Sequence, residues 1–135
     1  MFEYKCKLLR VVDGDTIDID IDLGFGVWLR KQRIRMYGID SPESRTRDLE
    51  EKKYGLASKK YLKKMCSDND LLIRTKKDGK GKFGRILGEM WRTTDYTDKS
   101  INQYCIDNYH AVAYYGQSKE DIEQDHLNNR KLVTL

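Results

Sequence analysis

The clearest pattern in the chain is a strict alternation of apolar and acidic residues between Thr16 and Leu23. The isoleucines at 17, 19 and 21 fall on one face, and the aspartates at 18, 20 and 22 fall on the other. A strand with one face in a core and one in water has this pattern. Weaker alternation predicts strands at 3–12 and 27–37, separated by the turn signals Asp13-Gly14-Asp15 and Leu23–Gly26.

The rest of the chain divides into helices and two further strands. Residues 49–66 carry an apolar stripe, with acids near the start and lysines near the end that complement the helix dipole. The other predicted elements are strands at 71–75 and 82–91, a helix at 100–108, an extended segment at 111–115 and a helix at 118–130. This order indicates an α+β, mainly β fold, a small barrel with helices packed on it. We expect a single domain over residues 1–135.

Composition narrows the classes of function. The net charge of +4 suits a polyanionic partner, although a merely solvated surface explains it as well and is favoured on charge alone. No apolar run is long enough to span a bilayer and no signal peptide is visible, so we expect a cytoplasmic protein without a membrane partner, with secretion left open. The unpaired Cys6, Cys66 and Cys105 are predicted to be reduced, buried thiols.

The segment Arg33 to Glu43 concentrates candidate chemistry. Arg35 lies within a predicted strand, and Asp40-Ser41-Pro42-Glu43 follows it, with Pro42 stiffening the loop. A rigid arginine beside two carboxylates is suited to presenting a cation and a base to a phosphate. Asp13 and Asp15 add hard oxygen ligands of the kind that Ca²⁺ or Mg²⁺ prefers, although D-G-D alone is more often a turn.

The remaining polar residues give weaker signals. Arg35 and Arg85 match the fork geometry that binds phosphate, but a single arginine is more often a surface salt bridge. His110 and His126 are predicted to be core or surface histidines rather than an acid–base pair. The sequence has no Cys/His ligand pairs of the kind that bind catalytic zinc. It also has no Gly-rich phosphate-binding loop of the kind that nucleoside triphosphate hydrolysis requires.

Six short motifs, each weak alone, occur in an order and spacing that resemble the staphylococcal nuclease-like (thermonuclease) family. They are V-V-D-G-D-T at 11–16, I-R-M-Y-G-I-D-S-P-E at 34–43, K-Y-G at 53–55, K-K-M at 63–65, K-F-G-R at 82–85 and A-V-A-Y-Y at 111–115. The resemblance implies a five-stranded OB-fold barrel with about three helices. It also implies Ca²⁺-dependent hydrolysis of DNA and/or RNA to 3′-phosphate products with low sequence specificity.

The resemblance also implies roles for individual residues. Asp15 and Asp40 match metal-binding aspartates, the carbonyl of Ser41 is expected as a further ligand, and Asp13 matches a supporting acid. Glu43 matches the general base. Arg35 and Arg85 match the two arginines that hold the scissile phosphate.

The implied nucleotide pocket departs from the family at two positions. Lys82 and Tyr114 match residues that contact a phosphate and the base, and Met36 and Leu87 fit the apolar wall. Phe83 replaces a tyrosine, so its hydroxyl contact is lost, and Gly116 replaces another, for which Tyr115 is a substitute. We expect a monomer that acts on DNA and/or RNA, the alternative being a catalytically silent OB-fold module that binds single-stranded nucleic acid.

Overall fold

The computed structural model describes residues 2–67, 70–76, 86–93 and 99–135. Within those residues the chain forms seven strands and three helices. In chain order they are β1 (Glu3–Asp13), β2 (Thr16–Gly24), β3 (Val27–Met36), β4 (Ile39–Asp40), α1 (Leu49–Met65), β5 (Leu71–Thr75), β6 (Ile86–Arg92), α2 (Ile101–Asp107), β7 (Val112–Ala113) and α3 (Lys119–Arg130). The predicted bounds differ from these mainly at strand ends and at β6, whose predicted first residues, 82–85, lie outside the described residues.

Five of the strands close into a barrel in the order β1-β2-β3-β6-β5. The neighbours are antiparallel except β3 and β6, which run parallel and complete the closure with Arg35 opposite Leu87. The five-stranded barrel with three helices confirms the predicted α+β, OB-type fold. It places the ends of β1 and β3 and the start of β2 at one rim of the barrel.

The alternation in β2 produces the barrel core on one side and a charged surface on the other. Ile17 and Ile19 are fully buried, whereas Asp18 accepts hydrogen bonds from Arg10 at 2.9 Å and from Arg33 at 2.9 and 3.1 Å. Asp20 is bound in the same way by Arg30 at 2.9 Å. The acidic face of β2 is therefore paired with arginines of the neighbouring strands β1 and β3.

The hairpin of β2 and β3 ends in a turn at the opposite rim. Gly24, Phe25 and Gly26 all have positive φ, at 85°, 55° and 74°. The side chain of Phe25 is fully exposed. This turn depends on a left-handed backbone, which glycine adopts without strain.

Helix α1 begins at its cap Asp48, whose side chain accepts from the backbone N–H groups of Glu50 and Glu51. The predicted apolar stripe is partly right, since Leu62 and Met65 are buried. The buried face also includes Gly55 and Ser58, which the apolar pattern did not indicate. These small residues allow loops of the barrel rim to lie close to the helix.

The C-terminal part of the chain packs back onto the same rim. Strand β7 pairs with β4, with Asp40 opposite Val112. Helix α3 begins at its cap Ser118 and is fastened by Asn129, which donates to the carbonyl of Ala111 at 3.1 Å. The guanidinium of Arg130 also lies over the ring of Tyr54, 5.2 Å from its centre.

The prediction for the cysteines also agrees with the structure. The three cysteines are free and buried, and burial raises the pKa of each thiol to about 12. Among the described residues, no helix combines the length and the apolar composition needed to cross a membrane.

Candidate active site

Asp15 is anchored at the barrel rim by three different elements. One carboxylate oxygen accepts from the Thr16 hydroxyl at 2.9 Å, and the other accepts from the backbone N–H of Ser41 at 3.1 Å. Its carbonyl accepts from the N–H of Met36 at 2.8 Å. Asp15 is only 8% exposed, so these contacts with protein groups, and not contacts with water, hold its carboxylate in place.

Gly14 allows this turn to lie against the loop that carries Ser41. A Cβ atom at Gly14 would stand 2.8 Å from the Cβ and Oγ of Ser41 and from the Cβ of Ser58. Real Cβ atoms do not come that close, so any side chain here would push the turn and the loop apart. The glycine of the D-G-D motif is therefore required by close packing at the site.

Arg35 lies between the two aspartates that the sequence singled out. Its Nη2 atom is 3.5 Å from Asp15 Oδ2 and 3.5 Å from Asp40 Oδ1. Its Nη1 atom donates to the carbonyl of Met36 at 3.0 Å, which holds the guanidinium at the strand end. Strand β3 and the following loop thus bring the arginine and both carboxylates together.

His126 also reaches this site, a contact that the sequence did not predict. Its Nε2 atom lies 2.7 Å from Asp40 Oδ2, and its side chain is 14% exposed. No spacing motif links residues 40 and 126, so only the docking of α3 reveals the contact. For His110, the prediction is confirmed, because it is buried and stacks on Tyr61 with ring centres 4.5 Å apart.

Glu43 follows on the same loop and faces the cleft. Burial, and then the negative charges of Asp13, Asp15 and Asp40, raise the pKa of this carboxyl above its usual 4.5. The backbone of Glu43 packs directly against α1 at Gly55, because a Cβ atom at Gly55 would stand only 2.2 Å from the Glu43 carbonyl oxygen. The helix glycine therefore fixes where Glu43 sits.

The donor set at this rim fits a hard divalent cation. The carboxylates of Asp15 and Asp40 lie on either side of Arg35 Nη2, and a buried oxygen of Asp13 has no hydrogen-bond partner among the described residues. Within those residues, no three His, Cys, Asp or Glu side chains form a complete ligand cluster. A cation would need main-chain oxygen and water as well, which is usual for Ca²⁺.

Two adjoining cavities open at the site. The larger, about 940 Å³, lies between the barrel rim and α3 and is lined by Asp40, Ser41 and Glu43. The second, about 570 Å³, is lined by Met36, Tyr115 and Gly116. Arg35, Leu87 and Tyr114 line both. The apolar cavity therefore lies next to the carboxylate cavity, and these three side chains form the wall between them.

The structure describes ten of the predicted site residues. Nine of them lie at this rim or line its two cavities, and the tenth, Asp13, is close enough for its charge to raise the pKa of Glu43. The predicted site residues Lys82, Phe83 and Arg85 lie outside the described residues. The wall formed by α3, including Arg130 and Lys119, was not predicted, because its charged residues lack a motif.

Comparisons with known proteins find similar sequences over much of this chain. A family model described as staphylococcal nuclease homologue matches residues 33–132. The thermonuclease of Staphylococcus hyicus is 30% identical over 89 residues, covering 66% of this chain and 49% of that protein. The thermonuclease of Staphylococcus intermedius is 33% identical over 82 residues, 61% of this chain and 45% of that protein. Protein ParB of Escherichia coli is 30% identical over 89 residues, 66% of this chain and 42% of that protein. The chain thus spans less than half the length of these relatives.

Proposed function

We propose, from the premise that this chain belongs to the staphylococcal nuclease family, that it is a nuclease that hydrolyses phosphodiester bonds of DNA and/or RNA. The observation that carries the proposal is the convergence of Arg35, Asp15, Asp40 and Glu43 on one cleft. A phosphodiester needs positive charge at its oxygens and a base beside it, and this cleft offers both.

We further propose Ca²⁺ as the cofactor, held by Asp15, Asp40 and the carbonyl of Ser41, with Asp13 supporting the site. Four carboxylates near one another carry more negative charge than Arg35 balances, which favours a divalent cation. When bound there, the ion would polarise the scissile phosphate.

Glu43 is the proposed general base. Its raised pKa makes the ionised carboxylate a stronger proton acceptor than an ordinary glutamate. It takes a proton from water while the water oxygen forms a bond to phosphorus. The bond from phosphorus to the 5′-oxygen breaks, and the products are a 3′-phosphate and a 5′-hydroxyl once the leaving oxygen is protonated.

The guanidinium of Arg35 is proposed to bind the equatorial oxygens of the phosphate as charge develops on them. Arg85 is proposed as its partner on the basis of the K-F-G-R motif alone. An arginine fork stays charged and fits two oxygens at once, which a lysine does not reproduce.

The apolar cavity is proposed to receive the nucleotide base. Tyr114 and Tyr115 offer exposed rings, while Met36 and Leu87 form the wall; Lys82 and Phe83 are proposed contacts from sequence. Stacking on an aromatic face is available to every base, so sequence preference is expected to be weak.

Degradation of plasmid DNA and of a long RNA, with Ca²⁺ or with a chelator, tests the proposal. Glu43→Gln should lower the cleavage rate about 10²- to 10⁴-fold while nucleic-acid binding survives. Glu50→Gln is the matched control, because Glu50 is exposed on α1 and should leave the rate unchanged. Analysis of the product ends checks for 3′-phosphates.

The silent OB-fold module is the other outcome of this test. Binding of single-stranded nucleic acid without any Ca²⁺-dependent cleavage would favour it over the nuclease. Cleavage by Glu43→Gln at the parental rate would instead leave the nuclease standing and reject Glu43 as the base.

A further inference from the structure

The contact between α3 and the candidate cation site has a specific geometry. His126 Nε2 lies 2.7 Å from Asp40 Oδ2, and its Nδ1 atom is buried with no hydrogen-bond partner among the described residues. A carboxylate oxygen can only accept, so Nε2–H donates to Asp40 and the buried Nδ1 needs no proton.

This geometry separates two roles that a histidine beside a cleft can have. A general acid or base must face the attacking water or the leaving oxygen with a ring nitrogen. Here one nitrogen is directed at Asp40 and the other is buried. The imidazole is therefore placed to orient a carboxylate and not to exchange protons with a substrate.

We propose that His126 is a positioning residue that holds Asp40 in its cation-binding orientation, so that α3 is part of the cation site. This inference rests on the proposed function. The metal ligands of proteins are commonly fixed by hydrogen bonds from a surrounding layer of residues, which set the direction of the ligand oxygens.

Asp40 needs such a contact because Arg35, its other neighbour, competes with a cation for the carboxylate oxygens. Its Oδ1 atom is 3.5 Å from Arg35 Nη2, close enough for attraction but longer than a good hydrogen bond. Without His126, the carboxylate, which is 32% exposed, can rotate toward the guanidinium and form a tighter ion pair. The imidazole N–H holds one oxygen away from Arg35 and still leaves lone pairs for a cation.

The rest of α3 stays attached to the barrel without this imidazole. Asn129 donates to the carbonyl of Ala111 at 3.1 Å, and Arg130 lies over Tyr54. Both contacts lie within one helical turn of His126. Substitution of His126 is therefore expected to leave a folded protein in which only the contact with Asp40 is lost.

Calorimetric titration with Ca²⁺, without nucleic acid, tests the role directly. The expected result for His126→Leu is a Kd raised about 10- to 100-fold. His126→Gln, whose amide N–H can still donate to Asp40, should recover part of that loss. Gln124→Ala is the matched control on α3, since Gln124 is exposed and bonds only to Asn128 among the hydrogen bonds seen, and it should leave Kd unchanged.

Three results overturn the proposal. An unchanged Kd in His126→Leu, with the parent protein binding Ca²⁺ and cutting plasmid, rejects the role of His126 and leaves the nuclease proposal intact. A lowered Kd shows that His126 competes with the cation. A parent protein that cuts plasmid without binding Ca²⁺ rejects the calcium part of the proposed function and this inference with it.

Thermal unfolding of the cation-free proteins separates positioning from packing. A purely structural role would lower the unfolding temperature of both His126 variants and leave their Kd values equal to that of the parent. That combination also overturns the proposal. The expected pattern is a difference in Kd between His126→Leu and His126→Gln that their unfolding temperatures do not follow.

Discussion

Two groups of carboxylates at the barrel have opposite surroundings. The ladder carboxylates, Asp18 and Asp20, project from the middle of β2 and are each bound by arginine at 2.9 Å. Hydrogen bonds from Arg33 and Arg10 lower the pKa of Asp18, and those from the Lys31 backbone and Arg30 lower the pKa of Asp20. The cleft carboxylates are Asp13, Asp15, Asp40 and Glu43.

The cleft carboxylates lack this balance. Arg35 stands 3.5 Å from two of them, and the pKa of Glu43 is raised by burial and then by the charges of the other three cleft carboxylates and of Glu51. The ladder group therefore stabilises the folded chain, whereas the cleft group retains unbalanced charge that suits a cation and a base. An acid's partners, rather than its position on a strand, distinguish a structural residue from a functional candidate.

The largest expected effect is a selective response of the cleft group to Ca²⁺. At a free concentration about 100 times Kd, binding should stabilise the fold by about 2.7 kcal/mol, measured as a shift in thermal unfolding. Asp40→Asn should lose most of this shift because a ligand charge is removed. Asp18→Asn, the same change in the ladder group, should keep it; equal loss in both variants would contradict the distinction.

The next largest effect is expected when the backbone of Glu43 is pushed away from α1. Gly55→Ala puts a Cβ where the Glu43 carbonyl stands, and such overpacking costs about 1 to 3 kcal/mol, partly offset by about 1 kcal/mol of helix propensity. Urea denaturation should show lower stability, and plasmid cleavage should fall. Leu56→Ala, at an exposed neighbouring position, should change stability by less than about 0.5 kcal/mol. Full activity in Gly55→Ala would show that the loop can move without cost.

A smaller loss is expected when a ladder carboxylate is neutralised. Asp18→Asn should destabilise the protein by about 0.5 kcal/mol at pH 7, because its arginine partners are largely exposed. Asp18 has a lowered pKa, so its contribution is present above the usual value of 3.8 and is lost as pH falls from there through the lowered value. The difference in unfolding between the two proteins should therefore be largest at pH 7 and should shrink steadily as pH falls below 3.8.

The smallest expected effect is a gain in stability rather than a loss. Glu43→Gln should stabilise the cation-free protein at pH 7 by less than about 0.5 kcal/mol, because it removes a charge that the cleft disfavours. A raised pKa favours the protonated form in the fold, so the parent gains stability below pH 4.5 and loses it as pH rises through the raised value. Denaturation curves should converge below pH 4.5, and a destabilised variant at pH 7 would contradict this reading of the cleft.

Most of the barrel could be predicted from the sequence, because each element is marked by a pattern among neighbouring residues. Strict alternation marks β2 through Ile17 and Ile19, and charged caps mark α1, so each element is readable within its own window. The convergence of Asp15 and Asp40 followed from turns at strand ends, which a closed barrel brings to one rim. The resemblance in motif order then assigned those turns to a family.

Contacts between segments that are far apart in the sequence could not be predicted from such local patterns. His126 reaches Asp40 only because α3 docks on β4 and β7, and nothing near residue 126 encodes that partner. A glycine inside a helix lowers helix propensity, and the sequence around Gly55 does not show that it leaves space for the backbone of Glu43. Both features depend on tertiary packing, which periodicity and propensity do not contain.

The turn at Gly24, Phe25 and Gly26 offers a practical use. It lies at the far end of β2 from the cleft, and nine residues of strand at about 3.3 Å each place it about 30 Å away along the chain. The side chain of Phe25, between the two glycines, is fully exposed. Exposed loop tips of this kind accept inserted peptides and dye attachment points, so a fluorescent reporter attached at Phe25 could follow the binding of nucleic acid without disturbing the cleft.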